Sequence, residues 1–280
     1  MKTLEQLLYE MADAGRPIEE LLAVVASISE RNKKGHSADS KYLLYAFASL
    51  LPWANYERIE RYVVDYWLNH CRNRALLAFA KVGRSLETSH LVRTHGQSQL
   101  MALIDKKVPI VLMFVHYGPQ RGVLQSVSDL GLSVTGIMQA WGARSNYPGV
   151  DFWTMRAGDD AAKYFPMHAV SVLRDNGIVL LALDGDLGET AVSAPCLKRM
   201  MSFRQGIFSI QRIARATVIP VYSRWSEDGF IETYFEEPLV EGSVLTAEIA
   251  AAWLQKLIID VPSDIRWPML EKLIRAPYIG

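Results

Sequence analysis

The stretch ValProIleValLeuMetPheVal at residues 108–115 is almost wholly apolar, with two lysines before it and HisTyrGlyPro after it. A run this short, closed by turn residues, reads as a β-strand buried on both faces, and such a strand needs helices above and below it. The rest of the chain supplies them. A helix is expected over 119–130, a strand over 132–138, a helix over 160–176, a strand over 177–183, a helix over 205–216, strands over 217–223 and 230–235, and a closing helix over 247–261. Strands alternating with helices imply βαβ units, so the expected fold class is α/β: a mostly parallel, twisted sheet flanked by helices.

Upstream, the periodicity is helical throughout. Leu4, Leu7, Leu8 and Met11 mark one short helix, and Ile18, Leu21, Leu22, Val25 and Ile28 mark a second after Pro17. A polar loop at 32–40 precedes a third helix over 41–51, and a longer fourth runs over 56–82. The organisation expected is an N-terminal helical portion (1–90) capping an α/β core (91–280), together one composite domain. Neither an internal repeat nor a low-complexity linker interrupts it.

Composition narrows the function classes. Lys plus Arg and Asp plus Glu are 30 each, so no global field draws the chain to nucleic acid. Cys71 and Cys196 stand far apart without metal-ligand spacing, which argues against a disulfide scaffold or zinc site and for a reducing compartment. Glu5, Glu10 and Asp13 break the N-terminal apolar pattern, so it reads as an amphipathic helix rather than a secretion signal. The longest apolar run, 42–54, is interrupted by Ser49 and Pro52 and is shorter than the roughly 20 residues of a spanning helix. The expectation is a cytoplasmic chain without a transmembrane anchor, meeting any lipid substrate from the aqueous side.

The sharpest chemical feature is His116, at the carboxyl end of the 108–115 strand with a helix opening behind Pro119. Ligands of open α/β sheets collect at that edge. Helix N-terminal amides can hold an anion there, and a histidine with an ordinary pKa near 6.5 can take a proton at neutral pH. A strand-end histidine bonded only to backbone is the competing reading. Trp141, Arg144, Trp153 and Arg156 interleave aromatic and basic side chains, but in a neutral chain without a nucleic-acid motif they fit a substrate or lipid-interface loop better. His36, His70, His90, His95 and His168 lack metal-ligand neighbours and read as structural or exposed, and Ser202 lacks a nucleophile elbow.

Four segments, in order, resemble the lipid A biosynthesis acyltransferases of the lysophospholipid acyltransferase superfamily. Residues 106–118 resemble the strand entering that family's His-x4-Asp/Glu motif, and 173–186, ending AspGlyAsp, are similar to its Asp-Gln-Asp segment. Residues 194–206 with 213–222 resemble its Pro-Phe-Phe-Gly element and Pro-Val-Phe strand, and ValProSerAspIleArgTrp (261–267) is similar to its Pro-x3-Gln-Trp signature. The resemblance implies transfer of an acyl group from an acyl carrier protein or coenzyme A thioester to a hydroxyl or amine of a lipid-like acceptor. It implies His116 as general base, the thioester as co-substrate, and no cofactor or metal.

The departures are specific. Arg121 stands where the family keeps the acidic partner of the histidine, Cys196, Leu197 and Lys198 replace Phe-Phe-Gly, and the family's N-terminal membrane helix has no counterpart. Three explanations for the altered dyad stay open: a carboxylate from elsewhere, with Asp184 or Asp186 as candidates; His116 acting alone; or a site kept for binding only. For the two aspartates a solvated Asp-Gly turn is the alternative. Backbone amides near Gly118 are expected to face an oxyanion. Arg121, in the first turn of its helix, is expected to hold a phosphate or carboxylate, with a surface ion pair as the competing reading. Lys198, Arg199 and Arg204 are candidates for an acidic head group or the donor's phosphopantetheine, and Met200, Met201 and Phe203 for an acyl groove or for plain core. Aminoacyl transfer, or a non-catalytic binding protein on the same fold, are the alternatives to acyl transfer.

Overall fold

The computed structural model describes residues 2–32, 38–139, 147–155, 161–185 and 190–279. Seven strands build one sheet in the spatial order β1 (Val92–His95), β9 (Ile231–Phe235), β8 (Thr217–Trp225), β2 (Ile110–Phe114), β5 (Ile178–Ala182), β3 (Val134–Gln139) and β4 (Val150–Met155). Every neighbouring pair is parallel except β8 with β9, which a tight turn joins as an antiparallel pair.

The apolar run of the sequence becomes β2, and its side chains divide as the period of two requires. Ile110 and Leu112 pack on one face with Leu100 of α5 (Gln97–Asp105) and Val123 and Val127 of α6 (Arg121–Asp129). Val111 and Met113 pack on the other with α7 (Ala161–Arg174), α8 (Gly206–Ala214) and α9 (Ala247–Asp260). β5 repeats the division, Ile178 and Leu180 against Val179 and Leu181. Burial on both faces is why these strands are apolar at every position rather than alternately.

The helical portion comprises α1 (Leu4–Asp13), α2 (Ile18–Asn32), α3 (Ala38–Leu50) and α4 (Tyr56–Lys81). Asn55 caps α4, its side chain accepting the Arg58 amide at 2.9 Å. α4 serves two cores. Ile59, Val63 and Tyr66 join the main core beside the sheet, whereas Ala75, Leu76 and Phe79 pack with Leu8 of α1, Leu21 of α2 and Trp225 of β8. No helix among the described residues is long and apolar enough to cross a membrane.

Several elements lie outside the sequence expectations: β1, α5, β4, the antiparallel hairpin of β6 (Ala191–Cys196) and β7 (Arg199–Arg204), and α10 (Trp267–Arg275). β1 is four residues of half-exposed edge strand, VRTH, with no apolar run to mark it. The hairpin turns through Leu197 and Lys198, both at positive φ (51° and 58°), without the glycine or asparagine that signals such a turn. The third helix begins at Ala38, ahead of the expected 41.

Candidate active site

The site's spacing comes from two parallel neighbours. In the β2–β5 register Phe114 lies opposite Ala182, and the Leu183 amide donates to the Phe114 carbonyl at 2.7 Å, carrying the ladder one step past both strands. The next positions are His116 and Asp184. The Asp184 carboxylate accepts the backbone N–H of His116 at 3.0 and 3.1 Å and lies 2.9 Å from its ring Nδ1. A carboxylate accepts only, so Nδ1 carries the proton and Nε2 is the basic nitrogen of the neutral ring. Asp184's side chain is 6% exposed and the imidazole 44%, so the carboxylate is buried and the ring meets solvent. Asp186, the other aspartate proposed for this position, lies outside the described residues.

The chain then turns through Tyr117, Gly118 and Pro119. Tyr117 is buried, its hydroxyl donating to the Val261 carbonyl. Gly118 sits at φ 51°, and a Cβ there would lie 2.0 Å from the Ser223 carbonyl oxygen of β8, so only glycine fits. Its N–H donates to the Asp264 carbonyl at 2.7 Å. That corrects the expectation that this amide faces an oxyanion: it is spent on holding the turn against the 262–264 segment.

Asp264 is the hub of that segment. Its carboxylate, 3% exposed, accepts from Asn69 Nδ2 of α4 at 2.8 Å and from the Trp225 amide at 3.2 Å. Burial pushes its pKa up to about 7, against the lowering pull of the Trp225 amide, Arg224, Arg72 and Asn69. Asn73, one turn along α4, donates to the Gly118 carbonyl at 3.4 Å and accepts from Trp225 Nε1 at 3.0 Å.

Arg121 is the first residue of α6. No side chain caps this helix and no acidic residue occupies its first turn. Two side-chain donors at this corner, Arg121 Nη1 and Gln120 Nε2, are buried without a hydrogen-bond partner among the described residues. Both residues line a cavity of about 430 Å³ between α4, this turn and residues 263–266. Arg266 forms part of its wall. More than a third of Arg266 is accessible, yet the surrounding walls lower its pKa, with the Arg121 charge adding to that effect and Asp184 and Tyr66 opposing it. Guanidinium stays charged regardless. His70 lies in the same wall, stacked on Tyr66 with its Nε2 accepting from Arg74 Nε at 3.1 Å.

Burial, then the charges of Arg74 and Arg266, push the His70 pKa down to about 4. An unfolded histidine titrates near 6.5, so the unfolded chain binds a proton that the folded chain refuses as pH falls through that window. His70 therefore contributes stability above pH ~6.5 that is lost toward pH ~4. Between about pH 7.5 and about pH 4.5, wild type is expected to lose on the order of 2 kcal/mol relative to His70→Gln. Urea unfolding at the two pH values checks this, and parallel pH dependence in both proteins would show that His70 is not held neutral by the fold.

The remaining site candidates fall elsewhere. Lys198 is an exposed turn residue of the β6–β7 hairpin, and Arg204 is exposed at the far end of β7. Arg199 donates to the carbonyls of Ile274 (2.8 Å) and Ala276 (3.1 Å) at the end of α10 and to Ser49 Oγ of α3 (2.6 Å), so its guanidinium ties three elements together. None of the three lines the cavity at Arg121. Met201 and Phe203 are core residues. Trp153 stacks on His168 at 4.4 Å, while Trp141, Arg144, Arg156 and His36 lie outside the described residues. Sequence reading passed over Gln120, Asn69, Asp264 and Arg266. Arg266 stood inside the quoted 261–267 signature, where a charged residue flanked by Ile265 and Trp267 was the available signal.

In comparison with known proteins, no family model matches the chain and no curated protein matches it.

Proposed function

We propose that the chain is an acyltransferase that moves an acyl group from a carrier-protein or coenzyme A thioester to a hydroxyl or amine of a lipid-like acceptor. The observation that supports this best is the 2.9 Å contact between Asp184 and His116 Nδ1 at the carboxyl ends of two parallel strands, β2 and β5. Asp184 occupies, from the neighbouring strand, the orienting role that Arg121 leaves open in the resembled motif.

In this reading His116 Nε2 takes the proton of the acceptor O–H or N–H as the acceptor attacks the thioester carbonyl. The new C–O or C–N bond forms, the tetrahedral intermediate collapses with loss of the C–S bond, and the departing thiolate recovers the proton from Nε2. Asp184 stays ionised, fixing the tautomer and offsetting the imidazolium charge. The Gly118 amide, engaged by the Asp264 carbonyl, supplies no hydrogen bond to the oxyanion. A lipid acceptor would be reached from the cytoplasmic, aqueous side of the inner membrane.

The test is release of free thiol from acyl carrier protein and coenzyme A thioesters, with and without candidate acceptors, followed by mass spectrometry of the product. Acceptor-dependent thiol release with a matching acylated product is the expected result. A product bearing an amino acid instead would assign aminoacyl transfer. The absence of turnover with every donor, by a protein that still binds them, would leave a binding protein on this fold.

A further inference from the structure

Among the described residues, three arginines but only two carboxylates, Glu5 and Asp264, line the cavity at the Gly118 turn. Arg121, Arg266 and Arg74 all line it. Arg74 is matched, its Nη1 lying 3.1 Å from Glu5 Oε2. Among the described residues Arg121 has no such partner, and its Nη1 is buried without a hydrogen-bond partner. Gln120 Nε2, the neighbouring donor, is buried and unused as well. Asp184 is engaged by His116, and Asp264 has its oxygens turned to Asn69 and Trp225. A buried donor without an acceptor costs about 1–3 kcal/mol, and more when charged. Two such donors in one wall, on adjacent residues and with a second guanidinium facing the same space, suit a group with several acceptor oxygens and negative charge.

We propose that this cavity is a phosphate subsite, in which Arg121 and Arg266 grip the phosphate of a substrate and Gln120 donates a further hydrogen bond. A phosphate offers enough oxygens for both guanidinium forks and the amide, which one carboxylate does not. His70, kept neutral in the wall, adds a ring without competing charge, and Tyr66 and Asn69 supply a polar lining beyond it. The volume of about 430 Å³ holds a phosphate together with several atoms of whatever carries it. The proposal rests on the acyl-transfer reading only for whose phosphate it is. A thioester donor carries one on its phosphopantetheine arm, and a lipid-like acceptor carries one on its head group. Either way, the residue that stands in place of the family's acid has become an anion clamp, while Asp184 from the next strand orients the base.

Binding measured without turnover tests it. Inorganic phosphate, 4′-phosphopantetheine and glycerol 3-phosphate are titrated by calorimetry into wild type, Arg121→Gln, Arg266→Gln and the remote surface variant Lys106→Gln, each checked for folding by circular dichroism. Saturable phosphate binding is expected in wild type and Lys106→Gln, weakened more than about tenfold in each arginine variant. Tighter binding of 4′-phosphopantetheine assigns the subsite to the donor, and tighter binding of glycerol 3-phosphate assigns it to the acceptor. Should Arg121→Gln misfold, exposed Arg266 still decides the matter. Phosphate binding that is absent in wild type, or equal in wild type and Arg266→Gln, overturns the proposal. Because no chemistry is required, phosphate binding with no thioester turnover would count against the acyl-transfer reading alone, and turnover with no phosphate binding against this subsite alone.

Discussion

Asp184→Asn is expected to lower acyl transfer by about 10²- to 10⁴-fold with little change in donor affinity. Asparagine keeps the shape but not the chemistry. Its carbonyl oxygen can still accept the His116 amide, which leaves its NH₂ facing Nδ1, and a donor there moves the ring proton to Nε2, the nitrogen that must be bare. His116→Ala should lose at least as much. The double variant should be no worse than His116→Ala alone, because the aspartate works only through the histidine. Circular dichroism and urea midpoints of all three verify that the fold is kept, and steady-state rates with the donor varied separate turnover from binding. Wild-type turnover in Asp184→Asn would leave His116 acting unaided, and wild-type turnover in His116→Ala would remove the mechanism.

Gly118→Ala should produce the largest loss of stability of any single methyl added near the site. The left-handed conformation at φ 51° costs a non-glycine residue about 1–2 kcal/mol, and the Cβ would meet a backbone oxygen of β8 at 2.0 Å, which no rotamer change relieves. Moving the turn to make room breaks the 2.7 Å bond from the Gly118 amide to Asp264. A loss of roughly 4 kcal/mol is expected from the combination. Gly131 is the internal control: φ is 65°, but nothing lies within 4 Å of its added Cβ, so Gly131→Ala should cost only about 1 kcal/mol. Denaturant unfolding with comparable slopes checks the pair, and equal midpoints would mean that the turn is not clamped against β8.

The difference between these two glycines also explains what was legible in the sequence. Strands buried on both faces announce themselves as unbroken apolar runs, which is why β2, β5 and the core of β8 could be placed along with the helices between them. Asp184 and Asp186 could both be nominated because they follow a predicted strand, but only the parallel pairing of β2 with β5 makes Asp184 the neighbour of His116. Nothing in a linear pattern says which glycine faces empty space and which faces a carbonyl. Nor does it say that Arg199 will spend its guanidinium on helix-end carbonyls rather than on a substrate. Edge strand β1 and the β6–β7 hairpin are half-exposed and mixed in character, so local periodicity carries little of the information that fixes them.

The contact between Asp264 and Asn69 joins residues 195 positions apart, and the Gly118 turn hangs on the same aspartate. Synthesis runs from the amino end, so β2 and β5 leave the ribosome long before this aspartate does. A nascent chain halted shortly after residue 235 would hold the strands that pair His116 with Asp184. It would lack Asp264 and Arg266, and with them one whole wall of the cavity. His116 and Asp184 are thus made early and the 263–266 wall late. A half-made chain would carry the two side chains without one wall of the cavity that Arg121 and Arg266 line.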